Sequence, residues 1–342
     1  MRAPLRAAVA WGMAMALSGL ALATAVSAQG QEKLVFDSAQ GYDQAEATAF
    51  QQRTGIRVEL SDMSTGPLLA KVTAERENPQ WDVVWFDGNA AMAELDAQHM
   101  LLRGYTPPNA ARYTALGRSL LPADHAFFPT GVTAAGVIVY NTRLVPPADA
   151  PRTWTDLLRP FFRNAVGMNN PAVSGPTYPI VAGILAQMGM AKGERFFLNL
   201  KRNGLVVNTT NGITLQALLD GKIKAAIVQD SAAQAIRQSG GPVKVVYPPS
   251  GVVLLPSDIA IDAKAPDMAA AKEFVNFVLS PYGQRVMQDE KQAGSDSLFQ
   301  PIIQGVRPLV DRAGVTWIHL DPYVWGARES SIVTWFTDHV VR

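Results

Sequence analysis

The residues best placed to do chemistry in this sequence are short polar clusters at junctions between extended and helical segments. The clearest lies in residues 170–187, NPAVSGPTYPIVAGILAQ, where Ser174, Gly175 and Thr177 surround Pro176 ahead of an apolar run over 180–185. Proline is favoured in the first helical turn, where its missing N–H costs nothing, and a neighbouring Ser or Thr can cap the free amides. Such a helix start carries about half a positive charge and offers backbone donors to phosphate, phosphonate or carboxylate. The plainer alternative is that Ser174 or Thr177 caps a structural helix. Similar small polar residues stand at Ser38, Gln40 and Gly41, at Ser64-Thr65-Gly66-Pro67, at Asn211-Gly212 and at Gln229-Asp230-Ser231, and Asp87 closes another strand. Together they describe a cleft that takes an anion on backbone amides and an amine or hydroxyls on Asp87 or Asp230, unless either aspartate is only a helix cap.

Nothing in the sequence points to bond-making. It contains no G-x-S-x-G, S-x-x-K, H-E-x-x-H, Walker or G-x-G-x-x-G motif. The four histidines, His99, His125, His319 and His339, have no ligand spacing and read as surface or packing residues. Cysteine is absent, which removes disulfides, thiolate catalysis and thiolate metal sites together. No cofactor is expected. The formal charge is +1, and leaving out Arg2 and Arg6 gives 28 basic against 29 acidic residues, so no basic surface is available for nucleic acid.

The N-terminus reads as a transport label. Arg2 and Arg6 precede an alanine-rich apolar run over 7–23, and Val26-Ser27-Ala28 supplies the small residues of a cleavage site, so the mature chain is expected to start at Gln29. The run is too short and too alanine-rich for an anchor. Without a cysteine at that site there is no lipid attachment, and a freely diffusing exported protein fits the Gram-negative periplasm.

The clusters need a frame that brings them together. Strands are expected at 33–36, 56–60 and 81–86, alternating with helices at 42–53 and 68–77, the signature of a parallel, doubly wound sheet. Ligands on such sheets sit beyond the carboxyl ends of the strands. Residues 104–130, rich in proline, read as irregular, and 131–141 as a strand crossing into a second lobe. Further strands are expected at 166–168, 205–207, 225–228, 243–246 and 252–261, with helices at 178–188, 192–202, from 211, at 268–279 and at 329–339. The fold class is therefore α/β with two lobes, each built on a mostly parallel sheet and joined by two crossing strands. The lobes are expected over 29–133 plus 257–310 and 134–256 plus 311–342.

The order of elements, the S-G helix start, the segment N-G-I-x-L-Q-A-L-x-x-G-K-I-x-A-A-I from Asn211 and the segment A-A-x-x-F-V-x-F-x-L-S-P-x-G-Q from Ala270 resemble the extracellular solute-binding proteins of ABC importers. The nearest group holds the ferric-ion, phosphonate and sugar-phosphate binders. The resemblance covers nearly the whole mature chain. It implies a type II periplasmic fold whose cleft closes on one solute and presents it to an inner-membrane permease. In iron-binding relatives an anion rests on positions matching Ser174, Gly175 and Asn211. Their two adjacent tyrosines match Ser231 and Ala232 here, so both phenolates that hard Fe³⁺ wants are missing. Tyr178 and Tyr247 are not an adjacent pair. Sugar-phosphate relatives carry a polar-acidic pair that resembles Gln229-Asp230.

The expected solute is therefore a small phosphonate- or phosphate-type anion or zwitterion, with 2-aminoethylphosphonate the simplest case, bound by a monomer. Ferric iron is the alternative ligand, and a secreted α/β enzyme or a receptor-linked sensor the alternative class. Asp230→Ala is expected to weaken affinity about tenfold to a hundredfold and to leave the fold intact.

Overall fold

The computed structural model describes residues 33–342, so the export segment expected over 1–28 lies outside the described residues. Three strands, β1 (Lys33–Ser38), β2 (Arg57–Asp62) and β3 (Val83–Asp87), run parallel in the order β2-β1-β3. They are linked by α1 (Asp43–Thr54) and α2 (Thr65–Ala74) and followed by α3 (Asn89–Ala97). Helices cover both faces of this sheet, which is why β3 is an unbroken apolar run up to its closing carboxylate. Val83 and Trp85 join Leu34, Phe36 and Phe50 in one core layer, while Val84 and Phe86 join Leu68, Val72 and Leu95 in another. Gly55 stops α1 with a left-handed φ of 81°, the conformation glycine adopts without strain.

The stretch expected to be irregular holds a 3-10 turn (Pro108–Arg112), α4 (Ala115–Ser119) and the start of β4 (Phe128–Ala134). The crossing expected as one strand is two strands in two sheets, β4 and β5 (Val137–Asn141). The break falls at Gly136, where a Cβ would meet Ile180 Cγ1 at 2.6 Å, so the helix that carries Ile180 presses directly on the turn. The second sheet has the order β7-β6-β8-β5-β9, built from β5, β6 (Val166–Asn169), β7 (Val206–Asn208), β8 (Ala225–Val228) and β9 (Val243–Val246). It is covered by α5 (Thr177–Met188), α6 (Met190–Arg202), α7 (Asn211–Leu219) and α8 (Asp230–Gln238). Met168, Ile227, Val181, Leu185 and Phe197 lie in its core.

The chain returns through β10 (Val252–Ile261), which inserts between β3 and β4 antiparallel to both. Each strand arriving from the opposite lobe enters its new sheet against the local direction, so both sheets are mixed. β10 pairs with the first sheet from Leu254 onward, so the lobe division expected at 256/257 falls inside a continuous strand. After α9 (Met268–Val278), α10 (Pro281–Met287) and α11 (Glu290–Ala293), the last segment forms β11 (Trp317–Ile318), α12 (Pro322–Gly326) and α13 (Glu329–Phe336). It touches both lobes. Gly326 rests against the Ala90 carbonyl and Tyr323 Oη donates to Asp96 Oδ2 at 2.9 Å, while Ile332 and Phe336 enter the second lobe's core.

Where these passages meet sits one enclosed carboxylate. Asp230, at the start of α8, accepts from Arg312 Nε at 2.7 Å, Arg312 Nη2 at 3.2 Å, Tyr247 Oη at 2.7 Å and the Ala134 amide at 3.0 Å. Ala134 ends β4, Tyr247 follows β9 just before the return crossing, and Arg312 lies on the segment leading to the C-terminal helices. Arg312 also donates to the Leu298 carbonyl at 2.6 Å. The pair is fully desolvated, at 0% and 2% side-chain exposure, which makes loss of one partner costly. Asp230→Ala is therefore expected to lower the unfolding free energy by about 3–5 kcal/mol in urea titrations, through the buried guanidinium left unpaired.

A second buried carboxyl gives a pH signature. Glu46 on α1 has no exposed surface, and burial pushes its pKa well above the usual glutamate range. Above the ordinary value the unfolded chain releases this proton while the folded chain keeps it, so the group subtracts stability as pH rises. Glu46→Gln removes that slope. The stability gain of the variant over the parent is expected to grow between pH 5 and pH 8 by up to about 1.4 kcal/mol per unit, read from urea midpoints at each pH.

Candidate functional site

Three helices point their amino ends into one space between the lobes. α2 starts at Ser64 and α5 at Pro176, and neither start carries a side-chain hydrogen bond to its first-turn amides. The alternative that Ser174 or Thr177 merely caps α5 is thus not what the structure holds. In α7 the cap is supplied locally, Thr210 Oγ1 accepting from the Ile213 amide at 3.3 Å. A cavity of about 300 Å³ lies among these starts. The first lobe contributes Ser64, Thr65, Asp87, Ser295 and Asp296 to its wall, and the second contributes Ser174, Gly175, Thr210, Asn211 and Gln229. No lysine, arginine or histidine is among the residues lining it. Positive potential therefore comes from peptide dipoles and orphan amides alone.

The wall is braced from behind. The Asn169 amide lies 2.7 Å from Asn211 Oδ1 and 2.6 Å from Thr214 Oγ1, which fixes the first turn of α7. Gln229 bridges the lobes, donating to Thr133 Oγ1 at 2.9 Å while its carbonyl oxygen accepts from Asn211 Nδ2 at 3.4 Å. The cleft is shut. A Cβ on Gly175 would fall 2.3 Å from Thr65 Oγ1, and one on Gly66 would fall 2.5 Å from the Ala172 carbonyl oxygen, so only glycine permits the two rims to meet.

Two carboxyls share the wall with the helix starts, Asp87 lying close to Gly175. Asp296 Oδ2 accepts from the Gly41 amide at 2.8 Å, and Asp87 ends β3 without capping α3, whose N-cap is Gly88. Burial first, and then the charge of Asp296, pushes the Asp87 pKa up, and burial raises that of Asp296. Two close, partly buried carboxyls are harder to ionise together than apart.

The structure brings most of the expected residues together. Ser64, Thr65, Asp87, Ser174, Gly175, Asn211 and Gln229 line the cavity, and Gln40 lines a small recess that shares Asp87, Gln229 and Asp296 with it. It leaves others outside. Ser38, Thr177 and Ser231 are fully buried; Ser38 Oγ accepts from the Gln40 amide at 3.1 Å, which shapes the turn after β1. Asp230 is also enclosed, with both oxygens already taken, so we reassign it from solute contact to the buried ion pair with Arg312, and the expectation that Asp230→Ala spares the fold is replaced by the destabilisation given above. Asp296 and Ser295 were not expected. They follow α11 in a 3-10 turn, Gly294–Leu298, far in sequence from any strand end. Only the polar run Gly-Ser-Asp-Ser there could have drawn attention.

The tyrosines near the cleft are committed elsewhere. Tyr178 Oη donates to the Trp325 carbonyl and Tyr247 Oη to Asp230. Burial raises both phenol pKa values, with further upward pressure from Glu329 and Asp230 respectively, which disfavours phenolate at either position. Among the described residues no group of three or more His, Cys, Asp or Glu is arranged to hold a metal ion.

Comparison with known proteins places this geometry in a family. A family model described as bacterial extracellular solute-binding protein matches residues 45–291. The major ferric iron-binding protein of Neisseria meningitidis is 26% identical over 251 residues, covering 71% of this chain and 74% of that protein. A Salmonella paratyphi A periplasmic protein whose name provisionally assigns it 2-aminoethylphosphonate is 24% identical over 256 residues, covering 72% of each. The periplasmic binding protein AfuA from Actinobacillus pleuropneumoniae, solved with fructose-6-phosphate, superposes with a TM-score of 0.81 at 19% identity, covering 91% of this chain and 99% of that one. Two mixed sheets joined by crossing strands, an interlobe cavity and a family match over most of its length agree: the chain belongs to the bacterial extracellular solute-binding proteins, the type II periplasmic receptors of ABC importers.

Proposed function

We propose that this receptor captures a small phosphonate or phosphate ester bearing a positive end, 2-aminoethylphosphonate being the simplest, and passes it unchanged to an inner-membrane permease. The observation that carries the reading is the convergence of three helix amino ends and two carboxyls on one interlobe cavity with no basic side chain in its wall. Oxyanion oxygens are satisfied by backbone amides and by the hydroxyls of Ser64, Thr65 and Ser174. The carboxyls Asp87 and Asp296 would repel a simple anion at that end and hold a cation or hydroxyl there. Ferric iron fits less well. The family's tyrosine pair is Ser231 and Ala232 here, and Tyr178 and Tyr247 spend their hydroxyls on internal partners.

The mechanism is a population shift. Solute contacts span both rims only when the cleft is shut, so binding free energy is drawn entirely from the closed state and pulls the hinge toward it. The permease then reads closure, and the receptor acts as an exported periplasmic monomer.

Two measurements test this. Calorimetric titration of the mature protein is expected to give heat with 2-aminoethylphosphonate and none with ferric citrate; tight ferric binding with a phenolate charge-transfer colour would replace this reading by the iron one. Gly66→Ala is expected to prop the rims apart, because the obstacle is the Ala172 backbone and cannot swing away. Affinity should fall about tenfold or more, with a larger radius of gyration in X-ray scattering of the solute-saturated protein and an unchanged urea midpoint.

A further inference from the structure

Asp87 stands nearer the anion end of the cavity than a carboxylate should. A Cβ on Gly175 would lie 3.3 Å from Asp87 Cβ, so the carboxyl leaves β3 beside the start of α5. No lysine, arginine or histidine lines the cavity or the recess next to it. Ionised, Asp87 would repel an oxyanion seated on the α5 amides with no basic side chain to offset it. In its acid form the same group is a donor.

The two carboxyls of the wall are not equivalent. Asp296 accepts from the Gly41 amide at 2.8 Å and from the Ser295 hydroxyl, and both favour its charged form. Asp87 has only the Gln40 side-chain amide, which leaves one of its oxygens open. Burial first, and then the charge of Asp296, pushes the Asp87 pKa up to about 8. The proton of the pair therefore belongs on Asp87 and the charge on Asp296. The other titratable groups that face Asp87 are Tyr42, from the turn before α1, and Asp258, on β10; burial pushes both pKa values up and keeps both neutral. Asp43, beyond Asp296, is raised by burial to about 6.

We propose that Asp87 is the side-chain donor of the anion site: in its acid form it gives its O–H to the bound phosphonate or phosphate, in the role a lysine or arginine would otherwise take, and leaves Asp296 to hold the positive end. The inference rests on the phosphonate reading above and narrows it, dividing the two carboxyls between the two ends of the solute. A carboxylic acid kept neutral by its surroundings is a strong donor to an oxyanion. Only that form binds. Affinity is therefore kept while Asp87 holds its proton and falls by about tenfold per unit once the pH exceeds its pKa in the empty protein.

The test is calorimetric titration of the mature protein and of Asp87→Asn with 2-aminoethylphosphonate from pH 7 to pH 9.5, since the ligand's own ionisations cancel in the ratio of the two affinities. Asparagine keeps a donor but has no proton to lose. The parent is expected to bind about threefold to tenfold more tightly than the variant at pH 7, and the ratio to fall about tenfold per unit above pH 8, passing below one by pH 9.5. Asp296→Asn should weaken binding throughout and move the onset of the fall to lower pH, because a charge that raises Asp87 has gone. The parent should also take up about one proton on binding at pH 9, read from the dependence of the heat on buffer ionisation enthalpy; this alone decides the matter if a variant does not fold. A parent affinity that holds or rises above pH 8 relative to the variant, or no proton uptake at pH 9, would overturn the acid-donor role and leave anion capture standing. If no phosphonate binds at any pH, the underlying reading falls and this inference with it.

Discussion

The architecture depends on the enclosed ion pair between Asp230 and Arg312. Each link that carries the chain between lobes passes within reach of that carboxylate: the end of β4 through the Ala134 amide, the approach to β10 through Tyr247, and the C-terminal segment through Arg312. A charge pair taken wholly out of water gains little net stability over an apolar equivalent, but it tolerates no missing partner. It therefore fixes how three otherwise independent segments come together. The helix that begins at Asp230 belongs to the second lobe, so the same residue ties that lobe's packing to the hinge.

From this joint the cleft follows. Strands of both sheets point their ends toward the space between the lobes, and the helices that succeed them present their first turns there. Glycines at 66 and 175 let the rims approach to a distance that any side chain would forbid. Gln229, one residue before Asp230, spans the closed gap from Thr133 to Asn211. Hinge and binding wall thus share one short stretch of chain, and movement in one is transmitted to the other through covalent neighbours.

Much of this was legible in the sequence, and the exceptions have physical causes. The segments 225–228, 243–246 and 252–261 are strands over the lengths expected; β8 and the first half of β10 are continuous apolar runs buried on both faces, whereas β9 is an edge strand with Lys244 exposed. Small polar residues at helix starts likewise pointed to Ser64, Thr65, Ser174, Gly175 and Asn211, whose role is set by the local backbone. Asp230 misled. A carboxylate after a strand has the same local signature whether it faces a cavity or a guanidinium, and Arg312 is 82 residues away. Asp296 was hidden for the converse reason, since its place near Asp87 is created by folding α10 and α11 over α1 and leaves no periodic trace. The break at Gly136 was also invisible, being imposed by Ile180 from another element.

The lack of basic side chains around the cavity has a kinetic meaning. Peptide dipoles act over about one helical turn, whereas a lysine or arginine cluster would be felt across a Debye length. The wall itself therefore adds little long-range pull on ions in the surrounding medium, and its discrimination begins once a molecule has already touched it.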